Sequence, residues 1–298
     1  MLLNNCQKTL SIRKNYFQQF LKQYKLNKCL NNYLYFHTLK SYNNQINPSI
    51  NLINSFSSLP TINKEIKLKF PPYNLETSLL KKDDKDQAEE VLQFLLDHFL
   101  TDEPLFESLN INKEEVIPFY KEIIKTCSQE IPISILVRSK NEGNKLIAVM
   151  LGQLITRDGS QSDFYNTKIN KGNKPKYSSN VNLYCQLVHI CESSVWDLLP
   201  KNMVKLCSVA FLSVHKDYRK LNIGYETAMI LIDYLRKLGD VQGFVSELSA
   251  IGTQKITTKI GFEKLLQIPY KGWKDENGNQ IIKAKDGAEY LDLKCLFL

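Results

Sequence analysis

Acidic residues are missing from the first 64 positions of this 298-residue chain, which carry eight Lys or Arg before the first carboxylate, Glu65. The remainder holds 31 basic and 31 acidic residues, so the formal charge of +8 belongs to the leader. A charge-balanced remainder argues against an electrostatic nucleic-acid footprint, and no aromatic–basic platform is present to suggest one. Paired cysteines are also missing. The seven (Cys6, Cys29, Cys127, Cys185, Cys191, Cys207 and Cys295) are scattered, with no CxxC among them. An odd, irregular set argues against a disulfide framework and predicts reduced thiols in an intracellular compartment, with Cys207 as core packing in an apolar strand. The four histidines are equally dispersed, so no metal centre is expected. No apolar run approaches the roughly 18 residues of a membrane span, and no transmembrane segment is expected.

The basic leader, residues 1–65 and acid-free as far as position 64, mixes Leu, Phe and Tyr with spaced Lys and Arg. A helix between about Ile12 and Leu30 would put Phe17, Phe20, Leu21 and Tyr24 on one side, with Lys14, Lys22, Lys25 and Lys28 elsewhere. This is the composition of a mitochondrial transit peptide, which predicts the matrix as the destination. A disordered Asn-rich tail on a cytoplasmic protein, or a basic segment lying on an anionic membrane, fits the same composition.

The folded part is expected over 73–298. Alternation predicts a strand from Tyr73 to Leu80, then a helix capped by Asp83 or Asp84 with Ala88, Val91, Leu92, Leu95, Leu96 and Phe99 on its packing face. Asp102-Glu103-Pro104 follows, where proline suits a first helical position. Lys113–Cys127 reads as a helix that Pro118 should bend or break. Strands are predicted at Ile133–Arg138 and Leu146–Ile155 about a polar turn, and a helix at Asn182–Leu199. Between them, 156–181 is a polar insertion without periodicity. Further strands are expected at Val241–Leu248, Phe262–Tyr270 and Tyr290–Phe297.

The centre of the pattern is Lys205–Lys237: an apolar, β-branched strand to Val214, a short basic loop, and a helix-period run that ends at Gly239. In Arg219, Lys220, Leu221, Asn222, Ile223 and Gly224 the orphan N–H groups of a helix start face outward beside two cations, a cradle suited to a pyrophosphate. Basic residue, two residues, turn former, one residue, glycine, set between strand and helix, resembles the acetyl-coenzyme A loop of the GNAT superfamily of N-acetyltransferases. The family has glycine where this chain has Asn222, and asparagine tolerates positive φ.

Two more landmarks stand in matching order. Asp102-Glu103-Pro104-Leu105 after an amphipathic helix is similar to the arylalkylamine N-acetyltransferases of the insect dopamine type, whose glutamate is the general base, acting through ordered water. On this chain that residue is Glu103. A helix ending in Lys259-Ile260-Gly261-Phe262 is the third landmark. Many family members have a tyrosine at the position of Thr257, whereas the arylalkylamine branch has instead two serines four apart at the helix start. Here those positions are Ser249 and Thr253. Such spacing puts both hydroxyls on one helical face, although Ser249 as a plain N-cap with Thr253 packed beside it explains the same residues.

The resemblance implies an α/β (α+β) acyl-CoA N-acyltransferase fold, a mixed, mostly antiparallel sheet with helices on both faces. It also implies transfer of an acetyl group from acetyl-CoA to the primary amine of a small molecule. Glu103, Ser249 and Thr253 are then the catalytic candidates. Val214, Arg219, Lys220, Leu221, Asn222, Ile223, Gly224 and Tyr225 are the candidates for holding the coenzyme. A domain that binds acetyl-CoA without turnover, as a structural partner in an organelle assembly, is the other reading. Phe106, Tyr270 and Trp273 are candidate pocket aromatics that local packing explains equally well.

Overall fold

The computed structural model describes residues 65–66 (backbone only), 74–159, 177–275 and 277–298. The leader helix and most of the polar insertion lie outside the described residues. Two compact units are present: Ser58–Ile268 with Ala284–Leu298 form one, and Pro269–Lys283 belongs to the other.

The first unit contains an eight-stranded sheet. Its elements are β1 (Glu65–Ile66), β2 (Leu75–Leu79), α1 (Lys85–Phe94), α2 (Pro104–Ser108), α3 (Lys113–Cys127), β3 (Ile135–Ser139) and β4 (Lys145–Thr156). Then come α4 (Ser179–Glu192), α5 (Val195–Leu198), β5 (Lys205–Val214), α6 (Ile223–Leu238), β6 (Gly243–Leu248), α7 (Ile251–Ile260), β7 (Glu263–Pro269) and β8 (Tyr290–Phe297). The spatial order is β1-β2-β3-β4-β5-β6-β8-β7. The β5–β6 pair is parallel, and the pairs from β1 to β5 and β6–β8 are antiparallel.

Alternation along β5 sends neighbouring side chains to opposite faces. Phe211 meets Phe99, Tyr120 and Phe119 of the α1–α3 layer at ring-centroid distances of 4.4, 5.5 and 6.2 Å. Leu212 turns the other way, toward the start of α6 at Gly224. Helices therefore cover both faces, and the α6 side carries a core of Ile135, Val137, Met150, Leu231, Ile232 and Leu235.

Local chemistry explains the element limits. Asp84 caps α1 by accepting from Gln87 N–H at 3.0 Å. Helix α3 has the bounds expected from the sequence, and Pro118 inside it does not break it. A reciprocal capping box between Asn112 and Glu115 secures its start, and burial of Val116, Phe119, Tyr120, Ile123 and Ile124 outweighs the lost backbone bond. The helix expected over Asn182–Leu199 is two helices, α4 and α5. At the break, the Ser193 and Ser194 hydroxyls donate to Ile190 O at 3.3 and 2.8 Å, a local alternative to helix continuation. Cys207 is fully buried in the core, and all five described cysteines are free.

In the second unit Tyr270–Gly272 makes one 3-10 turn. A small hairpin follows, closed by Ile281 N–H to Trp273 O at 2.8 Å and by Asp275, which accepts from Asn277 and Asn279 N–H at 2.9 and 2.8 Å.

Candidate active site

Strands β5 and β6 pair only at Leu206–Gly243, Cys207–Phe244 and Ser208–Val245. Beyond that point they diverge. A register shift against β4 between Leu151 and Gly152 leaves Ala210 as an extra residue in β5, and such a bulge bends its strand. The Ser246 hydroxyl donates to Val209 O at 3.0 Å as the last link before the gap. Farther along, His215 N–H donates to Ile147 O on the β4 side at 2.8 Å. Alternation then turns the Val214 and Leu212 N–H groups toward the open side. The gap forms part of a cavity of about 480 Å³ whose walls include Phe99, Tyr184, Leu212, Phe244, Ile256 and Phe262.

Glu103 is carried into this cavity by an irregular helix end. After Phe94, α1 widens into a π turn, with Leu100 N–H donating to Leu95 O at 2.9 Å. The chain then turns through Asp102 to Glu103, the N-cap of α2, with Pro104 in the first position. Glu103 is 5% exposed. Its carboxylate accepts from Leu105 N–H at 3.1 Å and from the Ser249 hydroxyl at 2.8 Å. Burial pushes its pKa up to about 7, opposed by those two hydrogen bonds and assisted by Asp286.

Ser249 lies just before α7, whose N-cap is Ala250. The plain N-cap explanation is thereby corrected: the Ser249 hydroxyl is directed to Glu103, and Asp286 accepts the Ile251 N–H at 2.7 Å. Thr253 also lines the cavity, with its hydroxyl donating to Ala250 O at 2.9 Å. The Thr257 hydroxyl is committed to Thr253 O and Gln254 O at 2.9 and 3.0 Å.

On the other wall the loop takes two left-handed residues, Lys220 at φ 63° and Asn222 at φ 67°. Asn222 is the N-cap of the 16-residue α6, yet no side chain caps that start, and the first backbone bond runs from Glu226 N–H to Asn222 O at 3.0 Å. The N–H groups of Ile223, Gly224 and Tyr225 thus precede the hydrogen-bonded ladder beside the cavity, the arrangement that receives an anion. A Cβ on Gly224 would stand 3.3 Å from Ile256 Cδ1 and 3.5 Å from Leu212 Cδ2, so the helix start approaches its neighbours closely.

Val214, Arg219, Lys220, Asn222, Ile223, Gly224 and Tyr225 line the same cavity as Glu103, Ser249 and Thr253. Leu221 instead packs against the core. The Arg219 guanidinium pairs with Asp102 and donates to Val214 O at 3.3 Å, which ties the loop to the residue beside Glu103. Phe106 is fully buried against Tyr184, with ring centroids 4.6 Å apart, and is not part of the lining. Tyr270 and Trp273 belong to the second unit.

Sequence reasoning missed Phe99, Tyr184 and Glu247 in the lining. Only Glu247 had a signal, a carboxylate inside a strand that is apolar but for Ser246. Among the described residues there is no group of three His, Cys, Asp or Glu able to hold a metal, and no helix long and apolar enough to cross a membrane.

No protein-family model and no curated protein sequence matches this chain. Solved structures do. Arylalkylamine N-acetyltransferase 2 from Aedes aegypti superposes with a TM-score of 0.62 at 17% identity, over 75% of this chain and 99% of that one. The Drosophila melanogaster polyamine N-acetyltransferase that forms N-acetylagmatine gives 0.59 at 15% identity, over 76% and 100%. The C-terminal condensation domain of Ebony, solved with β-alanyl-dopamine, gives 0.56 at 14% identity, over 76% and 100%. The fold is that of the GNAT acyl-CoA N-acyltransferases, and it resembles the insect arylalkylamine enzymes.

Proposed function

We propose that this chain is an N-acetyltransferase that moves the acetyl group of acetyl-CoA to the primary amine of a small molecule, an arylalkylamine, with Glu103 as general base. One observation carries the reading: a buried Glu103, hydrogen-bonded to Ser249, shares a cavity with the uncapped start of α6 and the unpaired edge of β5.

The coenzyme supplies an activated acyl group as a thioester. The residues present fit it. The Ile223, Gly224 and Tyr225 amides, with Lys220 beside them, suit a pyrophosphate, and the open edge of β5 suits an amide-bearing arm. An aliphatic amine is mostly protonated at neutral pH and attacks only as the free base. With a pKa near 7, Glu103 is matched to taking that proton, directly or through water. The Val214 and Leu212 N–H groups on the unpaired edge can meet the negative charge that develops on the acyl oxygen. Ser249 Oγ is the proton donor on the coenzyme side, and the proton gained by Glu103 returns to it along their 2.8 Å hydrogen bond. Thr253 fixes the first turn of α7 through Ala250 O. Phe99 and Tyr184 support an aromatic acceptor.

Calorimetric titration of the full chain with coenzyme A, followed by thiol release from acetyl-CoA in the presence of arylalkylamines, tests the reading. Saturable binding and amine-dependent release are expected. Absence of binding refutes the coenzyme site, and binding without release leaves a coenzyme-binding domain and refutes the enzyme.

A further inference from the structure

Helix α7 begins poorly on its own sequence. Its N-cap is Ala250, which has no side chain to cap with, and a β-branched Ile251 and a glycine, Gly252, follow. The first backbone bond of the helix runs from Gln254 N–H to Ala250 O at 3.1 Å, so the Ile251 N–H has no acceptor inside it. That acceptor comes from 35 residues away. A β-turn at Ala284–Gly287, closed by Gly287 N–H to Ala284 O at 3.1 Å, presents Asp286 to the helix start. Asp286 Oδ2 accepts from Ile251 N–H at 2.7 Å, and Oδ1 accepts from Ala288 N–H at 3.0 Å, which orients the carboxylate. The same turn reaches the other side of the site: Lys285 Nζ lies 3.2 Å from Glu107 Oε1 on α2, the helix that Glu103 caps. One turn therefore touches both helices whose starts carry the Glu103–Ser249 hydrogen bond.

Resting on the acetyltransferase reading, we infer that Asp286 is a positioning residue of this site, a cap lent by a remote turn that holds the start of α7 and with it the Ser249 hydroxyl on Glu103. Ser249 stands two residues before the bonded Ile251, with only the N-cap Ala250 between them, so the cap fixes where its hydroxyl points. Asp286 itself is exposed and lies outside the cavity lining. Its charge also acts on Glu103, adding to the upward push of burial on that carboxyl. The other groups facing Glu103 are the Ser249 hydroxyl and the Leu105 N–H, which oppose that push, and the Tyr120 and Tyr184 phenols of α3 and α4, whose protons Glu103 helps to retain. Two effects of Asp286 are thus separable: its hydrogen bond places Ser249, and its charge holds the proton on Glu103. Asparagine keeps an oxygen for the Ile251 N–H and removes the charge, whereas alanine removes both.

Steady-state kinetics of the full chain with acetyl-CoA and tyramine from pH 5.5 to 9 test this, on wild type, Asp286→Asn, Asp286→Ala, Ser249→Ala and the double variant Ser249→Ala with Asp286→Ala. At pH 8 Asp286→Ala is expected to lower kcat about tenfold while the KM for acetyl-CoA stays within about twofold. In the Ser249→Ala background the same substitution should cost less than about twofold, because it acts through that hydroxyl. Asp286→Asn should keep kcat within about threefold and carry the acidic limb of the profile to lower pH, since the charge that raises the Glu103 pKa is gone. A cap that only stabilises the fold would cost the same factor in both backgrounds, which overturns the inference. So does a silent Asp286→Ala, or a loss in Asp286→Asn as large as in Asp286→Ala. Should Asp286→Ala not fold, Asp286→Asn decides: a retained kcat with a displaced limb supports the inference, and a tenfold loss or an unmoved limb overturns it. Wild type that turns over no arylalkylamine refutes the acetyltransferase reading itself, a result distinct from turnover that is indifferent to position 286.

Discussion

Replacing Glu103 with glutamine should abolish the general base while making the protein more stable in mild alkali. The side chain is 5% exposed and has no cationic partner among the described residues, and burial moves its pKa from an ordinary 4.5 to about 7. Between those values the folded protein holds a proton that the unfolded chain has released. Stability therefore falls as pH rises from about 4.5 to 7 and stays reduced above it. The displacement corresponds to about 3 kcal/mol, an upper figure because glutamine must still satisfy Leu105 N–H and Ser249 in the same space. The Glu103→Gln variant is thus expected to melt at a higher temperature than wild type at pH 8 and to show little difference at pH 4.5. Its kcat/KM should be lower by about 10²–10⁴-fold, the span for a lost general base. The wild-type rate should climb about tenfold per pH unit up to pH 7 and then level, whereas the glutamine variant should lack that limb. Thermal melts at the two pH values and a kcat/KM profile from pH 5.5 to 9 measure all of this. Activity within threefold of wild type, or an intact acidic limb in the variant, would refute the assignment.

Loss of the Ser249 hydroxyl removes a hydrogen bond that lowers the Glu103 pKa, so Ser249→Ala should move the acidic limb upward in pH and lower kcat at least tenfold; an unmoved limb contradicts the pairing. Since Asn222 already stands at φ 67°, Asn222→Gly should leave coenzyme affinity within about threefold, while the β-branched Asn222→Val should weaken it at least tenfold, both read by calorimetry. At Gly224 the approach of Ile256 Cδ1 to 3.3 Å means that Gly224→Val should overpack the α6 start, lowering stability by about 1–3 kcal/mol and raising the KM for acetyl-CoA; a silent substitution would show that the helix start has room to spare. We further propose the mitochondrial matrix as the location: a fluorescent reporter fused behind residues 1–65 should enter mitochondria, and uniform cytosolic signal contradicts it.

The strand–loop–helix at Lys205–Lys237 was legible because each step has a local cause: β-branched residues to Val214, turn chemistry at Asn222, a 3.6-residue period afterwards and Gly239 at the end. Asparagine in place of glycine at position 222 preserved the left-handed backbone because its short side chain tolerates that conformation. Glu103 and Ser249 were legible one at a time, while their hydrogen bond joins residues 146 apart in sequence, beyond any local pattern. The gap between β5 and β6 is a tertiary event. Nothing in the composition near Ala210 marks the bulge, because the register shift is set against β4. The α4–α5 break went the other way, since serine hydroxyls interrupted an otherwise continuous apolar period, whereas α3 kept its expected bounds because burial outweighed the local breaker Pro118.

The claim that Glu103, Ser249 and the α6 start form one acetyl-transfer site is tested most directly by the product itself. Wild-type chain, acetyl-CoA and tyramine are incubated at pH 8, and the amine is weighed by mass spectrometry. The account predicts tyramine carrying one acetyl group on its nitrogen, formed with wild type and lost with Glu103→Gln although that variant is folded and still binds coenzyme A. Unmodified tyramine with the wild type, or equal acetylation by the folded variant, would contradict it.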